Sequence, residues 1–378
     1  MEALTTIAMS AALSALATLT GRAHRNTYVY VSNAEDGDIG TYRLATDGTL
    51  TPGARVQAGK LVMPMTVSPD KRYLFASIRT QPYSAVSYAI DQNTGALRQL
   101  SQARLPENVV YLSTDKTGRF LFGASYGGNL VTIGRIGEDG TISEPLEVVH
   151  TASKPHSIVI DGTNRFVFVQ HLGSDQILQF CFDAKTGKLI PNAPPVVPMK
   201  TGTGPRHLIF SADNKFAYLL CELTATLTAL ALDQDTGLLT PACAVKALPP
   251  DSKLVAGAPR LQTGHGKATR DVANDIWAAD LHLTPNGTFL YATERTDSTI
   301  TAFRADRATG ELTYLSTTPT ERQPRGFAID PWGKFMVVAG ELSDTISVYA
   351  IRENGSLSLL QKYPTGRGSN WVEIVSFD

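Results

Sequence analysis

Cysteine is scarce and follows no metal-binding pattern. The 378-residue chain has three, Cys181, Cys221 and Cys243, widely spaced and in no CxxC arrangement. Zinc, iron–sulfur and haem-attachment readings are therefore unsupported, and an odd number argues against a disulfide framework. The three read as reduced, mostly buried residues that behave as small hydrophobes. An excess of one charge is also missing. Lys and Arg number 34 against 35 Asp and Glu, and the net charge of −1 gives no reason to expect nucleic acid or a membrane surface as a partner. The apolar run at residues 7–19, IAMSAALSALATL, is too short to span a bilayer. It resembles the core of a secretory signal, with Ala15-Leu16-Ala17 as a cleavage site, but Glu2 is the sole charge before it and the basic leader is absent. Two readings stay open: an exported, periplasmic or secreted protein, or a cytoplasmic one with a packed leader over residues 1–26. There is no GxSxG elbow, P-loop or dinucleotide fingerprint, and no Asp/His/Cys cluster with metal spacing.

What is present is a repeat in a chain that is 43% hydrophobic and 18% charged, an ordinary composition for a packed core. An aromatic or apolar strand opens each unit: TYVYV at 27, RYLFA at 72, RFLFG at 119, RFVFV at 165, KFAYL at 215, TFLYA at 288 and KFMVV at 334. Successive spacings are 45, 47, 46, 50, 73 and 46 residues. A second strand follows each opening, as in VSYAI or ISVYAI. Then comes a turn such as DQNTGAL, DAKTGKL or DRATGEL, whose glycine can supply positive φ. An outer strand follows, and a further strand runs into the next polar turn, as in HLIFSAD. Repeats of this length, each with several short strands, predict an all-β, seven-bladed β-propeller over residues 27–378 with four antiparallel strands per blade. The chain starts on the second strand of a blade and ends on NWVEIVS, which reads as an innermost strand. The two ends are expected to complete one blade and close the ring, leaving no free sheet edge. The unit opening at Lys215 is longer by about two dozen residues, and the surplus over residues 252–275 reads as a loop on the face where inner strands begin. It is either a lid carrying Arg260, His265, Lys267 or Arg270, or a solvated insertion or oligomer contact.

Aligning units on the turn residue before each aromatic strand yields two columns. Eight residues upstream, at the mouths of the inner strands, stand Met63, Val110, His156, Arg206, Ala279 and Arg325. Eight residues downstream, at the exits of the second strands, stand Ala34, Arg79, Tyr126, Leu172, Glu222, Arg295 and Glu341. Both columns belong to one rim, because the mouth and exit of an antiparallel hairpin share an end. Two arginines at a narrow, partly desolvated channel mouth are costly unless a carboxylate or a bound anion compensates. Arginine offers a planar fork suited to carboxylate or phosphate, and His156 or Glu222 can take a proton from water. The competing reading is an inter-blade salt-bridge network that binds nothing. Asp280 and His282 lie on the next inner strand and can line the channel. His207 should point away from Arg206 and serve the core. His171 and Tyr126 can touch a ligand at the rim, and Glu294, Arg295 and Glu341 can form a rim ion pair.

The segments MPMTVSPDKRYLF, GPRHLIFSADNKFAYLLCEL, WAADLHLTPNGTFLYATERT and TERQPRGFAID resemble the seven-bladed propeller form of 6-phosphogluconolactonase. The likeness is specific at GPRH, WAADLH and QPRGF. The wider family includes the fungal carboxymuconate cycloisomerase, whose active site uses a His, an Arg and a Glu; by motif these fall on His156, Arg206 and Glu222. The resemblance implies hydrolysis of 6-phospho-D-glucono-1,5-lactone, a step of the pentose phosphate pathway, without metal or organic cofactor. Glu222 or His156 would be the base, Arg206 would face the oxyanion, and Arg325 with Arg79 would hold the phosphate. Tyr126, Asp280 and His282 complete the expected substrate-binding set. Ring closure suggests a monomer. A muconate-type cycloisomerase, a lactonase for unphosphorylated aldonolactones and a non-catalytic binding propeller are the alternatives.

Overall fold

Each repeat folds as a four-stranded antiparallel sheet, and seven such sheets make the ring in a computed structural model that describes residues 26–260 and 271–377. The apolar run at residues 7–19 and the loop positions His265, Lys267 and Arg270 lie outside the described residues. Blade two is typical: Val62–Val67, Tyr73–Ile78, Ser84–Ile90 and Leu97–Arg104 are hydrogen-bonded in that order from the axis outward. Blade one takes its innermost strand, Ser369–Phe377, from the far end of the chain. That strand pairs with Asn26–Asn33, which leads to Asp38–Leu44 and Leu50–Gln57. The ring is thus closed by the expected pairing of the two ends. The three cysteines are free, Cys221 buried and the others half-buried.

The repeated motifs have a joint purpose. In each turn between the two outer strands of a blade the glycine has positive φ, and a side chain there would strike the opening aromatic of the preceding blade. A Cβ on Gly237 (φ +71°) would lie 2.1 Å from Phe166, and one on Gly95 (φ +73°) would lie 2.3 Å from Tyr28. Gly140 meets Tyr73, Gly187 meets Phe120, Gly310 meets Phe216, Gly355 meets Phe289 and Gly48 meets Phe335 in the same way. The aromatic strand and the glycine turn are therefore two halves of one joint, made seven times around the ring. The packed core runs between sheets, in clusters that each draw on two neighbouring blades.

The tight turn between the first two strands holds the other invariant conformation. Lys71, Gly118, Asn164, Asn214, Gly287 and Gly333 all sit there at φ between 58° and 73°. Two of them also tie blades together. Asn164 donates to Asp115 at 3.2 Å and accepts from the Lys116 amide, and Asn214 donates to Asp161 at 3.0 Å and accepts from the Gly162 amide.

Inner strands are bulged at their mouths. Pro155 pairs with His171 and Ser157 with Gln170, so His156 is an extra residue in its strand. Arg206 and Arg325 are extra in the same way. A bulge bends the strand and re-aims its side chain. Here it aims His156, Arg206 and Arg325 toward the channel mouth, each of the three following a proline.

Candidate active site

The rim gathers His156, Arg206, Glu222 and Arg325 as expected, and adds Arg295. Arg206 is 1% exposed, Arg295 2% and Glu222 5%. Glu222 Oε2 accepts from Arg206 Nε at 2.8 Å and from Arg295 Nη2 at 2.8 Å. Arg295 also donates to the carbonyls of Trp277 and Ala278, at 3.0 and 3.1 Å. Burial works against ionisation of Glu222, but Arg295 and Arg206 outweigh it and hold the carboxyl below its usual range. Burial lowers Arg295 to about 9, so it stays charged at neutral pH. Glu222 Oε1 has no partner among the described residues.

His156 is 5% exposed, and its Nδ1 has no partner. Burial, then the neighbouring guanidiniums led by Arg206, keep its imidazole neutral well below the usual histidine range. Its ring meets the edge of Tyr126 at 5.9 Å, and the Tyr126 hydroxyl donates to the Arg260 carbonyl at 3.1 Å. The described part of the long loop therefore reaches this rim. Gly257 donates to Leu223 O at 2.8 Å, and the Arg260 guanidinium lies 3.6 Å from the centre of the Trp277 ring. Arg295 lies 3.8 Å from the same ring centre.

Arg325 is half-buried and donates from Nη1 to Glu341 at 3.0 Å, while its buried Nε has no partner. Arg79 donates to Asn108 at 2.6 Å and contacts the Met63 sulfur at 3.2 Å; burial first, then Arg325, lowers it to about 10. The four arginines so grouped face two carboxylates, Glu222 and Glu341, leaving two positive charges in surplus. Opposite them Val110, Tyr126, Leu172 and Leu223 form a small apolar wall.

Asp280 and His282 lie deeper in the channel, off the rim. Asp280 is 8% exposed and accepts from two histidines, His207 Nδ1 at 2.9 Å and His282 Nε2 at 3.2 Å. The His282 side chain keeps 38% of its surface open to the channel. Below the rim Tyr111, His207 and Trp371, from blades three, five and one, pack against one another across the axis at 5.0 to 6.1 Å, Tyr111 edge to face with each of the other two, and make a floor.

Three expectations change. His207 does not point away from Arg206: the bulge at Arg206 turns both side chains inward, and the guanidinium lies against the ring. Glu294, Arg295 and Glu341 form no common ion pair, because Glu294 takes the amides of Trp277 and Asp297, both at 2.7 Å, while Arg295 belongs to Glu222 and Glu341 to Arg325. His171 is fully buried rather than at the rim, with Nδ1 at 3.0 Å from Val169 O. Arg295 stood in the downstream column, yet its partner is 73 residues away on another blade, and spacing alone does not pair them.

Fold and site together define a closed seven-bladed propeller with a charged, arginine-rich site at one end of its axis. A sequence profile described as "Lactonase, 7-bladed beta-propeller" matches residues 24–374. The chain is 36% identical over 349 residues to the 6-phosphogluconolactonase of Serratia proteamaculans, covering 92% of this chain and 98% of that one. It is 37% identical over 352 residues to the Pectobacterium carotovorum 6-phosphogluconolactonase, covering 93% and 99%. The Pseudomonas aeruginosa periplasmic gluconolactonase superposes with a TM-score of 0.80 at 27% identity, covering 93% of this chain and 99% of that one. The chain belongs to the seven-bladed β-propeller lactonase family, enzymes that open lactones.

Proposed function

We propose that the protein hydrolyses a phosphorylated sugar lactone, 6-phospho-D-glucono-1,5-lactone, with His156 as general base. The observation that carries this is a rim with surplus positive charge that holds two of the nine buried polar side-chain atoms left unpartnered among the described residues, the His156 Nδ1 atom and the Arg325 Nε–H donor. Buried polar atoms without partners are rare in folded proteins, and a bound ligand supplies the missing ones. Glu222 already serves two guanidiniums through one oxygen, which makes it a weak base and a good organiser.

In this mechanism water attacks the lactone carbonyl carbon while His156 Nδ1 takes its proton. Negative charge develops on the carbonyl oxygen and is met by the free Nη2 arm of Arg206 in a dry setting, where a preplaced donor is most effective. The ring C–O bond then breaks, and the imidazolium returns its proton to the departing sugar oxygen. The product is the open-chain acid, which releases its remaining carboxyl proton to solvent and leaves as the carboxylate. Arg325 and Arg79 hold the phosphate, whose two charges match the surplus and ease formation of the imidazolium beside the guanidiniums. A phosphosugar substrate implies a cytoplasmic enzyme serving the pentose phosphate pathway.

Initial rates on the purified protein, corrected for spontaneous opening of the lactone, test this. His156→Ala and Arg206→Ala are expected to lose about 10²–10³ in turnover. Wild-type rates in folded Arg206→Ala and Glu222→Gln would remove the rim from the chemistry. An unphosphorylated aldonolactone is the second reading, favoured by the likeness to the P. aeruginosa gluconolactonase; the arginine surplus speaks against it.

A further inference from the structure

We propose that Arg260 is a specificity-determining residue of the rim, a fifth guanidinium that the base of the long loop holds at the mouth of the site to select the phosphorylated end of the substrate. The loop leaves blade five at Lys246 and enters blade six at Ala278. At Arg260 it is held from two sides of the mouth. The Arg260 carbonyl accepts from the hydroxyl of Tyr126, on blade three, at 3.1 Å. The Arg260 guanidinium lies 3.6 Å from the centre of the Trp277 ring, at the entry to blade six. Blades four and five stand between these anchors, and they supply His156, Arg206 and Glu222. A residue tied to both blade three and blade six borders the mouth that those side chains line.

The backbone fixes this placement as well. Val255 donates to the Asn274 carbonyl at 2.9 Å and accepts from the Ile276 amide at 2.8 Å, and Gly257 donates to the Leu223 carbonyl at 2.8 Å. A Cβ on Gly257 would lie 2.4 Å from the Ile276 carbonyl oxygen, so the loop runs closer to the strand entry than any other residue allows. Leu223 follows Glu222 directly, and the loop base is thereby tied to the residue beside the shared carboxylate. Arg295, which donates to that carboxylate, lies 3.8 Å from the same Trp277 ring centre. Two guanidiniums so close to one ring centre would collide on a single face, so the indole stands between them. Each cation is attracted by the ring quadrupole, which offsets the repulsion of setting Arg260 within two stacking distances of Arg295. Stacking uses the face of a guanidinium, whereas the fork that recognises phosphate lies in its plane.

The identity of the substrate rests on the lactonase reading; the selection of a phosphorylated ligand is measured apart from it. The first measurement is kcat/KM for 6-phosphoglucono-1,5-lactone and for glucono-1,5-lactone in the wild type, Arg260→Met and Arg260→Lys. Methionine keeps an unbranched, polarisable chain on the indole without the charge. Arg260→Met is expected to lower the preference for the phosphorylated lactone about tenfold, through KM and with kcat within about twofold, as loss of one charge-assisted contact does. Arg260→Lys should keep more of the preference, because the charge remains. Equal loss on both lactones in Arg260→Met, an unchanged preference, or a lysine variant no better than the methionine one overturns the proposal. If Arg260→Met does not fold, Tyr126→Phe, which removes only the hydroxyl holding the Arg260 carbonyl, decides by the same comparison of the two lactones. If the wild type opens no lactone, or both equally well, the functional reading fails, and titration calorimetry with 6-phosphogluconate and gluconate decides. A tighter binding of the phosphorylated acid that is weakened about tenfold in Arg260→Met keeps Arg260 in its role; no difference between wild type and variant removes it.

Discussion

Glu222 is shared between Arg206 and Arg295 through one oxygen, and all three side chains are buried. Removing its charge leaves two buried guanidiniums facing each other. Glu222→Gln is therefore expected to cost about 3–5 kcal/mol of stability, the usual consequence of breaking a buried ion pair from one side. Urea unfolding measures this, and an unchanged midpoint would mean that the guanidiniums are balanced from elsewhere. Rim positions were legible where the motif is local: Pro-His, Pro-Arg and Pro-Arg-Gly mark His156, Arg206 and Arg325. The direction of a neighbour was illegible where it depends on a bulge. Arg206 and His207 are adjacent, and strict alternation sends them to opposite faces; one extra residue in the strand brings them together.

At the scale of the element, the glycine–aromatic joints explain why both motifs recur. Two glycines separate their contributions. Gly237 (φ +71°) has Phe166 2.1 Å from a would-be Cβ, whereas Gly202 (φ +79°) has nothing within 4 Å. Both alanine variants incur the left-handed backbone penalty of about 1 kcal/mol, and only Gly237→Ala adds overpacking, about 1–3 kcal/mol more. Differential scanning calorimetry should show a clearly lower Tm for Gly237→Ala. Equal shifts would mean that the joint is compliant. The Thr-Gly turns and aromatic openings were readable in sequence as turn and strand. Their contact was not, because it joins residues on neighbouring blades such as Gly95 and Tyr28.

For the whole molecule, the last strand matters most. Ser369–Phe377 closes blade one against Asn26–Asn33 and brings Trp371 to the channel floor. Ending the chain after Pro364 should abolish cooperative unfolding by opening a sheet edge and the floor at once. A truncated protein with a wild-type transition would show closure to be dispensable. Acid should also loosen the ring. His171 and His207 are each lowered to about 4 by burial, so the unfolded chain binds protons that the folded one refuses. Their contribution is complete above pH about 6.5 and disappears as pH falls toward 4, about 3 kcal/mol each over that window. Glu373, raised to about 7 chiefly by burial, acts in the opposite sense: it contributes most below its ordinary value and loses this as pH rises toward 7. The depressed histidines, joined by His156 and by the depressed carboxyls Glu222 and Asp280, act against the raised carboxyls Glu373, Glu294 and Asp330 and give a net loss on acidification, which urea midpoints at pH 7.5, 6 and 4.5 will register; a level profile contradicts it. The ring itself was legible because each blade is a local meander with its own turn residues. The axis was not, since the floor draws Tyr111, His207 and Trp371 from distant parts of the chain.

The rim's positive surplus is the feature on which substrate choice depends. The most direct measurement is kcat/KM for 6-phosphoglucono-1,5-lactone against glucono-1,5-lactone under one set of conditions. A charge-assisted contact contributes about 1.5–3 kcal/mol, so two phosphate-holding arginines predict a preference of at least about 10²-fold for the phosphorylated lactone. Equal efficiency on the two, or a preference for the unphosphorylated sugar, would contradict the account.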